Sequence, residues 1–136
     1  MTQKTLRGVL ITPNKPNTYP REYILDYTNY ASFYSLLECE TFDIVSRKFK
    51  DKVLDIYCDD NGLFVPDNKP AIITYNAQGT LVEQIVGNVF IVACTNEGET
   101  ISLTDEEVNA VLSSIATMMS VKNGNLDAHK IAIAHI

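Results

Sequence analysis

The chain has no tryptophan, two histidines, three cysteines and no apolar run long enough to cross a bilayer. Each shortage closes off a class of function. Histidine performs most acid–base and metal chemistry near neutral pH, yet His129 and His135 both lie in the last stretch of the chain. A Cys–His nucleophile would need one of them folded back onto Cys39, Cys58 or Cys94. Three cysteines without paired spacing make neither a disulfide framework nor a zinc site, so free thiols in a reducing cytoplasm are expected. Cys58 and Cys94 fall inside apolar strand patterns and read as small buried hydrophobes. The run Val89–Cys94 is far short of the roughly 20 residues of a membrane-spanning helix. Met1-Thr2-Gln3-Lys4 lacks the apolar stretch of a signal peptide, and no membrane anchor is expected.

Cations are also scarce. Eleven Lys and Arg against seventeen Asp and Glu leave a net charge of -6, which argues against broad adhesion to nucleic acid or anionic lipid, since such binding depends on Lys and Arg replacing counterions. Gly79, Gly87 and Gly98 have no phosphate-loop spacing. No cofactor is implied.

What is present suits one folded unit. With 136 residues, 46% apolar and 21% charged, the chain can bury a single core and is far from the composition of disorder. Leu6–Thr12 reads as a strand stopped by Pro13, with Pro16 and Pro20 marking a long loop. Tyr30, Phe33, Tyr34 and Leu37 recur at helical spacing, predicting a short helix from Thr28 or Asn29 to about Cys39. Thr41–Val45 and Lys52–Cys58 read as strands, Asn61-Gly62 as a hairpin turn, and Leu63–Val65 as its return. Ala71–Tyr75 and Thr80–Val82 flank a turn at Asn76-Ala77-Gln78-Gly79. Val89–Thr95, almost wholly apolar, predicts a central strand, turning at Asn96–Glu99 into Thr100–Leu103.

Thr104-Asp105-Glu106-Glu107 has the pattern of a capping box. The stripe Val108, Val111, Leu112, Ile115 and Met119 then predicts a helix that runs to Asn123-Gly124-Asn125. Short strands outnumber helices without strict alternation, so the expected fold is α+β. It is a single domain over 1–125, a mainly antiparallel sheet of short strands with two or three helices on one face. The tail 126–136, with Leu126, Ile131, Ile133 and Ile136, would pack on the core or at an oligomer interface.

Three constellations invite a functional reading. Arg47, Lys48, Lys50 and Lys52 surround Phe49, a set that could hold a phosphate and stack on a base, or form a solvated hairpin tip. Glu97, Glu99, Asp105, Glu106 and Glu107 form an acidic cluster that could bind a cation or imitate the charge of a nucleic acid, although capping and solvation account for most of it. Asp59-Asp60-Asn61-Gly62 begins like a calcium loop but lacks the alternating oxygen ligands and closing Glu, leaving a turn as the simpler reading and no metal site.

Four segments in order carry a resemblance. Leu54–Gly62, Asp67-Asn68-Lys69-Pro70-Ala71, Ile85-Val86-Gly87-Asn88-Val89-Phe90-Ile91-Val92 and Ser102-Leu103-Thr104-Asp105-Glu106-Glu107 are similar to the strand and acidic turn, Asn-basic-Pro segment, Gly-containing strand entry and helix-opening element of a phage and mobile-element family. That family is catalogued as domain of unknown function 3846, and the likeness covers about Val53 to Val108. It brings no catalytic residues. It implies a small accessory protein of a mobile element in a bacterial cytoplasm, acting by occupying something.

Two binding readings follow. In one, a homo-oligomer counters host defence by sequestering a nucleotide-type signal, with Arg47, Lys48, Lys50 and Lys69 on phosphate, Phe49 or a tyrosine under the base, and Asn68 alongside. In the other, the acidic face around Glu97, Glu99, Asp105 and Glu106 inhibits a host defence nuclease or effector. A metal-dependent enzyme acting on a nucleotide through Asp59 and Asp60, and a structural role in an assembly, stand as alternatives.

Overall fold

The computed structural model describes residues 4–29 and 31–136. Tyr30, part of the expected helical stripe, and Met1-Thr2-Gln3 lie outside them. Among the described residues, ten strands and two α-helices follow one another as β1 (Lys4–Ile11), β2 (Arg21–Tyr27), α1 (Ala31–Leu37), β3 (Phe42–Phe49), β4 (Lys52–Asp59), β5 (Pro70–Tyr75), β6 (Leu81–Val86), β7 (Val89–Cys94), β8 (Thr100–Ile101), α2 (Asp105–Leu112), β9 (Ile115–Lys122) and β10 (Asn125–His135). The sheet order is β2-β1-β7-β4-β3-β10-β5-β6, with β8 on β7 and β9 on β10. The architecture is α+β, with one large mixed sheet rather than a set of short antiparallel strands: β10 runs parallel to β5 and antiparallel to β3 and β9.

β7 is the axis of the core. It pairs with β1 on one side and β4 on the other, and Val89 to Ala93 are all buried, as expected for an unbroken apolar strand covered on both faces. Its side chains alternate between two apolar clusters. Val89, Ile91 and Ala93 join Val9, Ile11, Leu54, Ile56, Val108 and Val111 beneath α2. Phe90 and Val92 join Leu6, Leu10, Tyr57, Phe33 and Leu37 beneath α1, where Phe33 stacks on Tyr57 with centroids 4.4 Å apart. The helices therefore cover opposite faces of the sheet, correcting the expectation of helices on one face. Alternation along β1, β4 and β7 supplies two apolar surfaces, and each needs a cover.

Three local expectations also change. Asn61 lies at φ -106° and Gly62–Phe64 forms a single 3-10 turn, not a hairpin with a return strand. Gly62 is needed for close approach instead, because a Cβ there would come within 2.6 Å of the Val86 carbonyl oxygen. β2 pairs along seven residues with β1, over a stretch that sequence reading left unassigned. α2 starts on the expected capping box but ends at Leu112, so Ile115 and Met119, read as helical stripe, belong to a strand. The two-residue turn Asn123-Gly124, with φ of 52° and 78°, joins β9 to β10, as a type I′ hairpin requires. The tail is thus a strand: Ala132 and Ala134 are fully buried in the α2-side cluster.

Candidate functional site

Two members of the basic segment read as a phosphate site, Arg47 and Phe49, are taken up by their own surroundings. Arg47 sends Nε and Nη2 to the two oxygens of Glu83 at 2.9 and 2.7 Å. That bidentate pair holds the Glu83 carboxyl below the usual carboxylate range and the Arg47 guanidinium above its own. Phe49 is 0% exposed within the core, which removes it as a stacking platform: in an alternating strand, the face that buries Val45 buries Phe49 as well. Lys48 is exposed, and Lys50 takes a left-handed conformation at the β3–β4 turn.

The acidic cluster stands at this same end and is partly spent. Asp105 pairs with Arg7 at 2.7 Å, Arg7 also holds Glu22, and Glu106 reaches Lys52 at 3.3 Å. The Glu107 carboxylate accepts from the Thr104 amide at 2.8 Å while the Glu107 amide donates to the Thr104 hydroxyl. Glu97 and Glu99 sit exposed on the turn after β7.

Asn68 and Lys69 lie at the other end of the sheet, away from the basic tip with which they were grouped. His135 pairs with both Lys48 of β3 and Tyr75 of β5, so the tip is level with the far end of β5, about 17 Å of strand from Pro70. Asn68 is structural: its Nδ2 donates to the Gly62 carbonyl at 2.9 Å and its Oδ1 accepts from Asn14. Asn14 in turn accepts from the Lys69 amide at 3.0 Å.

At this end a cleft of about 490 Å³ opens between the loop 12–20 and the β9–β10 hairpin. Its volume falls in the range of small-molecule sites. One wall is a proline-bounded loop tied internally, the Thr18 hydroxyl lying 2.8 and 3.0 Å from the carbonyls of Lys15 and Thr12. Arg21 Nη1 reaches the Tyr19 carbonyl at 3.2 Å. The other wall presents Thr117, Asp127, Ala128, His129 and Lys130, with Lys69 between the two. Lys69 reaches Asp127 at 2.7 Å, which lowers the Asp127 carboxyl below its ordinary range. His129 Nε2 lies 2.9 Å from the Pro70 carbonyl oxygen, and Lys130 donates to Thr117. Lys15 pairs with Glu38 at 3.1 Å. Tyr19, at 65% exposure, stands at the rim.

Of the sequence-selected binding residues only Lys69 lines this cleft. Lys15, Lys130, His129 and Tyr19 were missed because they come from a loop and a tail that no local motif connects. Their meeting depends on β10 pairing parallel to β5. Three lysines, Lys15, Lys69 and Lys130, and one carboxylate, Asp127, line the cleft, with Glu38 outside the lining paired to Lys15, on a chain of net charge -6.

The remaining chemistry-bearing residues stay apart. Burial pushes the Cys58 thiol up to about 12 and the Cys39 thiol to about 11, away from the thiolate that nucleophilic sulfur requires. Cys94 is exposed rather than buried, since it ends β7 beyond the reach of the core. Asp59 accepts from the Asn61 amide at 2.9 Å as a turn residue. Among the described residues, no group of three or more His, Cys, Asp or Glu could hold a metal ion, and no helix is long and apolar enough to cross a membrane.

Residues 6–116 match the family described as Domain of unknown function (DUF3846). The chain belongs to that family. The match runs from inside β1 to just inside β9 and takes in both helices, so the hairpin residues that wall the cleft lie past it. No curated protein and no solved structure matches the chain.

Proposed function

We propose that this protein is a non-enzymatic accessory protein of a phage or other mobile element that counters host defence by binding and sequestering a nucleotide-type signal molecule, and that the ligand sits in the cleft between loop 12–20 and the β9–β10 hairpin. The observation that carries this reading is the excess of positive charge lining the cleft of an otherwise acidic protein. A phosphate group entering it would compete for Lys69 and Lys15, whose present partners are partly solvated; such ion pairs are weak, of order 1 kcal/mol or less, and yield to a more highly charged anion. Lys130 adds a donor on the hairpin wall. Tyr19 at the rim offers a face on which a base can stack, worth about 1–3 kcal/mol. The loop wall is held by its own hydrogen bonds, so little ordering cost falls on binding.

Isothermal titration calorimetry with adenosine diphosphate, a cyclic dinucleotide and inorganic pyrophosphate tests this. Binding that weakens with added salt, and falls more than tenfold in Lys69→Glu and Lys130→Glu, is the expected result. Ligand recovered unchanged after incubation with magnesium or manganese separates sequestration from the enzymatic alternative; turnover would overturn the non-enzymatic reading. Heat signals absent for all three probes at millimolar concentration would remove the cleft as a nucleotide site.

A further inference from the structure

Exposed apolar side chains scattered singly are ordinary, whereas adjacent ones held out on a fixed frame mark a contact surface. Among the described residues, Leu63 and Phe64 are the most exposed large apolar side chains, at 77% and 83%, and they are neighbours. Their frame is the 3-10 turn Gly62–Phe64. The Phe64 amide donates to the Asn61 carbonyl at 3.0 Å, the Val65 amide to the Gly62 carbonyl at 3.3 Å, and Asn68 Nδ2 to that same Gly62 carbonyl at 2.9 Å. Gly62 itself is pressed against the Val86 backbone, so the turn is fixed with both side chains in water. Val65 carries the patch into a cleft of about 460 Å³, whose other walls include Tyr34, Cys39, Glu40 and Asp59.

We infer that Leu63, Phe64 and Val65 are the apolar centre of a protein-docking surface, whose occupant is a segment of another protein carrying Lys or Arg beside bulky apolar side chains. The charge around the patch selects that occupant. Between Arg21 and Arg47 the chain carries five acidic residues, between Lys52 and Lys69 four more, and neither stretch has a Lys or Arg. The two stretches meet at the cleft, where the Asp60 amide donates to the Thr41 carbonyl at 3.2 Å and Asn61 Nδ2 to the Thr41 hydroxyl at 3.1 Å. Lys15 reaches Glu38 from outside the lining at 3.1 Å, which leaves the charges of Glu40, Asp59 and Asp60 beside the patch. Burial first, and the Asp59 charge second, hold the Cys39 thiol up at about 11, so the field of that carboxylate is felt inside the cleft. An acidic surround opposes a second copy of net charge -6, a nucleic acid and an anionic membrane alike, and attracts a basic protein surface. Aromatic side chains such as Phe64 are enriched at the centres of protein interfaces, and a turn already fixed spares the cost of ordering them. The surface is separate from the nucleotide cleft and does not depend on that reading.

The test titrates the full chain with a synthetic amphipathic helix, leucines on one face and lysines on the other, followed by amide chemical shifts and fluorescence anisotropy. Shifts concentrated at residues 59–68 are expected. Leu63→Ser combined with Phe64→Ser should weaken binding more than about tenfold, and Glu40→Gln with Asp60→Asn about threefold. Glu97→Gln with Glu99→Gln removes the same two charges elsewhere and should leave affinity within about twofold, since exposed charges beyond a screening length contribute little. Every substituted side chain is exposed, so the urea midpoints should match and folding does not confuse the result. Equal losses in the Glu97 and Glu99 control, equal binding of a glutamate version of the peptide, or no shift at residues 59–68 with millimolar peptide would each overturn the proposal. Spermine shifting those amides as strongly as the peptide would reduce the surface to a cation site, and a wild type that dimerises through Leu63 and Phe64 in sedimentation would assign it to a second copy; either result also overturns it. Nucleotide calorimetry on the Leu63 and Phe64 variant should match the wild type, so each reading can fail alone.

Discussion

The two ends of the sheet differ in what their charges surround. At the end carrying the β3–β4 turn, Arg47 meets Glu83, Lys52 meets Glu106 and Arg7 meets both Glu22 and Asp105, and the one aromatic ring of the basic run is sealed in the core. At the end carrying loop 12–20, cations outnumber the carboxylates around a cavity and a tyrosine stays at the rim. Arg47, Lys52, Asp105 and Glu106, from clusters of charge in sequence, are ion-pair partners, whereas the cleft gathers lysines scattered at 15, 69 and 130, two of them held by Glu38 and Asp127. A run of like charges is usually solvated or matched by its neighbours, while a ligand site needs convergence, which only the tertiary fold supplies.

The comparison breaks most sharply at Phe49. If the basic end is structural, truncating this buried ring by Phe49→Ala should cost about 3–5 kcal/mol through lost transfer energy and the cavity left behind, read as a large drop in the urea midpoint. A loss under 1 kcal/mol would mean that the tip is open and its aromatic available. Next in size is the pair that closes the tip. Glu83→Gln leaves the Arg47 guanidinium without its carboxylate at side-chain exposures of 22% and 29%, and a loss of about 1–2 kcal/mol is expected after allowing for residual solvent screening. Because the folded-state pKa of Glu83 is lowered, its contribution is present above the ordinary glutamate range and is lost as pH falls through the folded value. The Gln variant should therefore show a shallower decline in stability on acidification than the wild type, with the curves approaching each other at low pH.

A smaller effect belongs to the capping box, where Thr104→Ala should cost about 1 kcal/mol. That element shows what sequence reading does well. Thr104 and Glu107 interact three residues apart, and the helix start depends on nothing else. β7, with its unbroken apolar run, and the turns at Asn76–Gly79 and Thr95–Glu99, closed by local backbone hydrogen bonds, were legible for the same reason. The end of α2 was not. Ile115 and Met119 continue the helical spacing of Val108 and Val111, but the run from Ile115 to Val121 reads equally as a strand, and the pairing of eight residues with β10 outweighs a weak helical preference. Asn-Gly misled twice through the same ambiguity: at 61–62 the glycine serves close packing, and at 123–124 it makes the hairpin taken for a helix end. The cleft was least legible, because its walls are joined by a parallel pairing across some sixty residues of chain.

The smallest expected effect is the most direct check on the contrast between the ends. Lys48 is exposed and belongs to the run first read as a phosphate site; Lys130 lines the cleft. Reversing either charge alters the net charge of the protein equally, so any difference must come from position. Lys48 lies level with Tyr75, about 17 Å of strand from Pro70, roughly two screening lengths at physiological salt. Lys48→Glu should therefore leave nucleotide affinity within about twofold of wild type, measured by the same calorimetry at 0.15 M salt, while Lys130→Glu weakens it more than tenfold. Lowering the salt to 0.01 M extends the screening length to about 30 Å, and the Lys48 variant should then begin to lose affinity. Equal losses at 0.15 M would mean that the ligand answers to the overall field of the protein and not to the cleft.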